Sequence, residues 1–250
     1  MTFPDSGLYC ITSARIATRT PHLEQARQCL LAGRHVVVDK PFTTTSAEGR
    51  ELIGLASAAG LVLSAYQNRR FDGDYLTLER LIRSGELGRV VRMESRYDRY
   101  RPALRPGSWR ERKEEPASGI LFDLGPHLVD QALALFGTPQ AVSADIRVER
   151  EGAQVDDAFD VTLLYPGLRV VLGGTMLACA PGPRFVVHWT LGTYWKHGMD
   201  PQEAPLRAGR PPEGDRWGLE AESEWGTLTT MTDNRPCPRR VPTERGDYRL

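Results

Sequence analysis

Between residues 21 and 66, short apolar runs alternate with capped helical segments, and this alternation most limits what the chain can fold into. His35-Val36-Val37-Val38 is a β-branched run of strand length, the composition of a strand covered on both faces of a sheet. Upstream, Thr20-Pro21 reads as an N-cap followed by proline at the first helical position. Leu23, Ala26, Leu30 and Leu31 then recur at helical spacing until Gly33. Downstream, Thr45-Ser46-Ala47-Glu48 has the form of a capping box opening a helix that carries Leu52, Leu55, Ala56 and Ala59 and ends at Gly60. Leu61 to Tyr66 is the next strand, and Ala14 to Thr18 reads as the tail of an earlier one. Such a β-α-β-α-β succession with short connections specifies a parallel, doubly wound sheet. Only part of one is expected, because residues 1–13 carry no strand pattern.

The pattern changes after Gln67. A helix with Tyr75, Leu78, Leu81 and Ile82 ends near Gly85, and Val90 to Tyr97 reads as a strand. A polar, Pro- and Arg-rich loop over 98–117 precedes a helix carrying Leu124, Leu128, Ala132, Leu133 and Phe136. Val142–Val148, Phe159–Tyr165, Arg169–Met176 and Phe185–Thr190 then read as strands of one large, open, mostly antiparallel sheet. Pro, Arg and Gly dominate 200–212 and the stretch from Asn234 onward, where irregular structure is expected. The fold class is therefore α/β: a partial parallel domain over residues 1–67, followed by an α+β domain over 68–250.

Composition excludes several classes of function. The 32 basic and 32 acidic residues cancel, so no global field draws the chain to nucleic acid or to an anionic membrane. No apolar run approaches the roughly 20 residues that span a bilayer. The four cysteines are far apart, without metal-site or disulfide spacing, and a reducing cytoplasm fits. No set of His, Cys, Asp and Glu closes a metal site.

Two stretches could carry chemistry. The run 35–38 stops hard at Lys40-Pro41, placing Asp39 and Lys40 past the carboxyl end of a parallel strand, the edge at which open α/β sheets bind ligands. A solvated Asp–Lys turn is the alternative. Only three lysines stand among the basic residues, so an ordinary surface cation here is arginine. The second stretch is Phe122-Asp123-Leu124-Gly125-Pro126-His127. Proline is tolerated in the first turn of a helix, so this helix should begin near Asp123. Asp123 and His127 then share a face, and a carboxylate beside an imidazole suits a general base. The alternative is an N-terminal aspartate favoured by the helix dipole beside an incidental histidine.

Ile16-Ala17-Thr18, Pro21-His22 and Ala32 through Pro41 resemble the Gfo/Idh/MocA oxidoreductases, the relatives of glucose–fructose oxidoreductase and inositol dehydrogenase. Asn68-Arg69-Arg70-Phe71-Asp72, Gly85-Glu86-Leu87-Gly88 and Gly119 through His127 continue the likeness in order, over roughly residues 14 to 230. The resemblance implies a Rossmann domain for NAD or NADP and a second domain whose open sheet joins copies into a homo-oligomer. It further implies hydride transfer between the nicotinamide and a sugar- or polyol-like secondary alcohol. Lys40 matches the lysine of the family's Glu-Lys-Pro, with Asp39 in place of Glu; Asp123 and His127 match its Asp-x-x-x-His. In that scheme His127 takes the hydroxyl proton, Asp123 orients it, and Lys40 steadies the alkoxide and positions the cofactor. Thr18, Pro21, His22, Asp39, Asn68 and Arg69 fall where the cofactor passes, and Trp109-Arg110 in the loop over the substrate. The opening strands and the Gly-x-Gly-x-x-Gly phosphate loop of the family have no counterpart in the sequence. The expectation is thus a chain shortened at its N-terminus and near its C-terminus. A cofactor-blind remnant that keeps the second sheet as an oligomerisation or binding module is the alternative to an enzyme.

Overall fold

A computed structural model describes residues 2–3, 8–11, 21–105 and 107–249. The first sheet is four-stranded in the order β1 (Thr2–Phe3), β2 (Leu8–Ile11), β3 (His35–Asp39), β4 (Leu63–Tyr66). β2, β3 and β4 run parallel, and β1 pairs antiparallel with β2. Strand β2 lies in a segment where no strand was expected, and the anticipated strand tail at 14–18 is outside the described residues.

Helices α1 (Pro21–Leu31) and α2 (Ser46–Ala59) connect these strands. The capping box forms as the sequence indicates: Thr45 accepts from the Glu48 amide, and the Glu48 carboxylate accepts from the Thr45 amide. Gly60 closes α2 in the left-handed region at φ 64°. Ala26, Leu30, Leu52 and Ala56 of the two helices pack over Val36 and Val38. His35, Val37 and Asp39 are only half-buried. The strand is therefore fully covered on one face, where the unbroken β-branched run suggested two. His35 adds a tie of its own, its Nδ1 accepting from the Val62 amide at 2.9 Å.

After a single 3-10 turn (Asn68–Phe71) comes α3 (Gly73–Ser84), and then the second sheet. Its strands are β5 (Val90–Arg96), β6 (Ala141–Arg147), β7 (Ala158–Tyr165), β8 (Leu168–Thr175), β9 (Phe185–Trp189), β10 (Gly192–Lys196), β11 (Gly226–Thr232) and β12 (Arg235–Val241). They lie in the order β12-β11-β10-β9-β5-β8-β7-β6, antiparallel throughout except for the parallel pair β5–β8. Leu78 and Leu81 of α3 join Leu124, Leu128 and Ala132 of α4 (Ile120–Phe136) in one core with Met93, Phe159, Leu172 and Val187 from the strands. Arg96, Arg147 and Asp160 meet in a salt-bridge cluster on these strands.

Two expectations of irregular structure are corrected. A short helix, α5 (Glu203–Arg207), lies within 200–212. Residues 235–241 form β12, closed onto β11 by a turn in which Asp233 and Asn234 both take positive φ. These are the residue types that tolerate such a hairpin. Pro236 and Pro238 alternate along β12, which is the border of the sheet, where proline is admitted. Among the described residues no helix is long and apolar enough to cross a membrane.

Candidate active site

At the carboxyl end of β3 the Asp39 carboxylate accepts from the Lys40 amide at 2.8 Å, and the Lys40–Pro41 peptide is cis. The Lys40 ammonium reaches α4, donating to the Asp123 main-chain carbonyl at 2.5 Å and approaching its carboxylate at 3.3 Å.

Helix α4 begins at Ile120, earlier than the proline alone indicates. Asp156 makes this possible by accepting from the Ile120 amide through its carbonyl (3.0 Å) and from the Leu121 amide through its carboxylate (2.7 Å). Gly119 just before the helix sits at φ 84°, and a Cβ there would lie 2.0 Å from the Asp156 carboxylate. Pro126 consequently falls in the second turn, where it brings no N–H to the Phe122 carbonyl and loosens the ladder. The neighbouring Asp123 carbonyl is the one Lys40 uses.

His127 is 5% exposed, with Tyr97 edge-on at 6.4 Å between ring centroids. Its Nδ1 is buried without a hydrogen-bond partner among the described residues. Burial first, then the charges of Lys40 and Arg69, push its pKa well below the usual histidine value, with Asp123 opposing. The ring is therefore held neutral. The relation between Asp123 and His127 is one of charge, not a hydrogen bond to Nδ1. The Asp123 carboxylate instead joins Lys40 to Arg110, whose Nε lies 3.2 Å away and whose guanidinium stacks on Trp109 at 4.4 Å.

The opposite wall is a buried polar network. Arg69 meets Asp72 at 3.3 Å, the Tyr248 hydroxyl at 3.0 Å and Glu203. Gln131, on α4, donates to the Arg69 carbonyl and accepts from Arg184, which lies over the Tyr97 ring at 4.0 Å. Gln131 and the Tyr248 hydroxyl tie these groups into the floor beneath His127, although the Nε atoms of Arg69 and Arg184 have no hydrogen-bond partner among the described residues.

Together these elements enclose a cavity of about 640 Å³ between the two sheets, and Asp39, Lys40, Asn68, Arg69, Asp123 and His127 all line it. Arg110 lines it too, whereas Trp109 supports Arg110 from behind. His22 is buried and lines a separate cavity of about 180 Å³ with Pro41, Thr44 and Glu48. Pro21 is the first residue of α1, and Thr18 lies outside the described residues. Because His22 and His127 occupy different cavities, they do not combine into a metal site. Among the described residues no group of three or more His, Cys, Asp or Glu is placed to hold a metal ion. Tyr97, Arg99, Arg101, Glu203 and Tyr248 line the main cavity without having been singled out in the sequence. The period-two spacing of Tyr97, Arg99 and Arg101 was the available signal, had the strand been continued past residue 97.

Residues 3–67 match the Gfo/Idh/MocA family model described as an oxidoreductase family with an NAD-binding Rossmann fold, and residues 75–195 match the family's C-terminal domain. The likeness thus begins nearer the N-terminus than the motifs alone indicated. The uncharacterized oxidoreductase YdgJ of Escherichia coli is 45% identical over 227 residues, spanning 91% of this chain and 64% of the relative. The scyllo-inositol 2-dehydrogenase (NADP(+)) IolW of Bacillus subtilis is 42% identical, spanning 91% of this chain and 63% of the relative. Among solved structures, the putative oxidoreductase yvaA of Bacillus subtilis superposes with a TM-score of 0.90 at 41% identity, covering 96% of this chain and 67% of that one. The chain therefore spans somewhat less than two thirds of the length of these curated relatives.

Proposed function

The chain belongs to the Gfo/Idh/MocA family of oxidoreductases, and from that premise we propose that it is a cytoplasmic, NAD(P)-dependent dehydrogenase of a sugar- or polyol-like secondary alcohol. One observation carries the reading: Lys40, from the carboxyl edge of the parallel sheet, and His127, from the helix of the second domain, line one cavity and are tied together through Asp123. The division at residues 67 and 68 into nucleotide- and substrate-binding units belongs to the same proposal.

The residues present fit the reactive end of a nicotinamide dinucleotide. Asp39, Lys40 and Asn68 stand at the strand ends where such ligands bind, and beside them the buried Nδ1 of His127 has no hydrogen-bond partner among the described residues, a polar group left for a ligand to satisfy. When bound, NAD or NADP supplies the acceptor for the hydride leaving the carbinol carbon. The hydroxyl proton passes to the His127 ring, which is neutral and so free to accept it. Lys40 donates to the alkoxide oxygen as charge develops there, and its ammonium suits this as a compact point charge. Asp123 serves by fixing Lys40 and Arg110 and by opposing the cations that depress His127. Homo-oligomerisation through the open sheet completes the proposal, with apolar Val142 and Ile146 exposed on β6.

Titrating the 250-residue chain with NADH and NADPH by fluorescence tests the reading. Micromolar binding, with turnover lost in Lys40→Met and His127→Ala, is expected. A folded chain that ignores both nucleotides would instead be the non-catalytic module.

A further inference from the structure

Beyond the end of β5 the chain remains extended. The amides of Tyr97, Arg99 and Arg101 donate in turn to the carbonyls of Gly173, Thr175 and Met176. Alternate side chains of an extended segment share a face, so Tyr97, Arg99 and Arg101 all turn into the 640 Å³ cavity. Among the described residues seven cationic side chains line that cavity against three carboxylates. Asp123 is already engaged by Lys40 and Arg110, and Glu203 by Arg69 and Arg207. Asp39 accepts the Lys40 amide. Among the described residues Arg99, Arg101 and Arg105 are left without a salt bridge or side-chain hydrogen bond.

Arg99 and Arg101 are half-buried. Burial pushes the pKa of each downward, and for Arg101 the nearby charge of Arg99 adds to it. A guanidinium nonetheless keeps its proton. Two neighbouring cations partly withdrawn from water, with Asp123 and Glu203 acting on them only at a distance, cost the fold stability, and an anion that pairs with them directly offsets that cost. Their fork geometry matches the paired oxygens of a carboxylate or phosphate.

We propose that the substrate is an acidic polyol or sugar, with one carboxylate or phosphate group seated against Arg99 and Arg101 while the reacting hydroxyl lies at Lys40 and His127. This rests on the dehydrogenase reading for the position of the hydroxyl, but the anion site stands on its own geometry.

Calorimetric titration of the full chain with glucuronate, glucose 6-phosphate, glucose and myo-inositol, each with and without NADP, separates the outcomes. At least one of the two anionic sugars is expected to bind about tenfold or more tightly than both neutral compounds, and which one identifies the anionic group. Arg99→Gln and Arg101→Gln are expected to erase that preference while melting no lower than the wild type, since each removes a charge not directly paired among the described residues. Arg101→Met, which keeps the apolar stem, serves where a glutamine variant fails to fold. Equal binding of neutral and anionic sugars, binding of neither anion, or an undiminished preference in the variants overturns the inference. Binding of the anion without any binding of nicotinamide nucleotide keeps the inference and sinks the dehydrogenase. Nucleotide binding with a neutral substrate does the reverse.

Discussion

Lys40 is anchored more closely to the main-chain carbonyl of Asp123, at 2.5 Å, than to the Asp123 carboxylate, at 3.3 Å. The anchor therefore survives loss of the side-chain charge. Asp123→Asn is expected to keep the fold and the Lys40 contact while leaving two cations, Lys40 and Arg110, without their shared carboxylate. A loss of about 1–3 kcal/mol is expected, read by urea unfolding. A variant as stable as the wild type would show that the carboxylate contributes nothing at this junction.

His127 gives the chain a defined acid response. An unfolded histidine titrates near pH 6.5, whereas the folded one resists protonation to well below that value. Above about pH 6.5 both states are neutral and the group adds no slope. As the pH falls below that, the unfolded state takes up a proton the folded state refuses, and stability declines by up to about 1.4 kcal/mol per pH unit. The decline continues until the folded ring also titrates. Unfolding free energies between pH 8 and pH 5 should fall less steeply for His127→Gln, and superimposable curves would refute the assignment.

Arg184 shows what a buried cation bonded through both terminal nitrogens is worth, its Nε having no hydrogen-bond partner among the described residues. Its side chain is 2% exposed and bonds Ser95, the Tyr97 hydroxyl and Gln131. Arg184→Met strands these partners and is expected to cost about 3–5 kcal/mol. Arg92, 42% exposed beside Glu94 on β5, is the control: Arg92→Met should change stability by no more than about 0.5 kcal/mol. Similar losses in both variants would mean that burial of the network does not matter.

The start of α4 yields an ordered pair of effects. Asp156→Ala removes the cap on the Leu121 amide and is expected to cost about 1–2 kcal/mol. Gly119→Ala should cost more, because it combines the positive φ with a Cβ driven into the Asp156 carboxylate. Thermal denaturation of the two single variants ranks them, and the opposite ranking would place the control of this helix end elsewhere.

The parallel sheet and its helices were legible because local signals agreed there. Thr45 and Glu48 cap as their spacing indicates, and Gly60 and Gly85 end their helices in the left-handed region. Lys40, Asp123 and His127 were legible as candidate residues from their types and spacing, and the structure brings them to one cavity. What escaped depends on partners distant in sequence. Helix α4 starts at Ile120 because Asp156 caps it, and nothing near residue 120 announces that. Arg99 and Arg101 read as members of a polar loop because the carbonyls that extend them belong to residues 175 and 176. Strand β12 was hidden by its own prolines, since a run such as Arg235-Pro236-Cys237-Pro238 has no strand propensity.

Those two prolines set a limit on how the sheet can grow. Their registers opposite Met231 and Thr229 leave Arg235, Cys237 and Arg239 to bond inward to β11, so Pro236 and Pro238 face away from it. A foreign strand arriving along that flank would meet ring carbons where it needs amide hydrogens. Templated lengthening of the sheet, the route by which unguarded β-proteins stack into fibrils, is thus blocked on the β12 side.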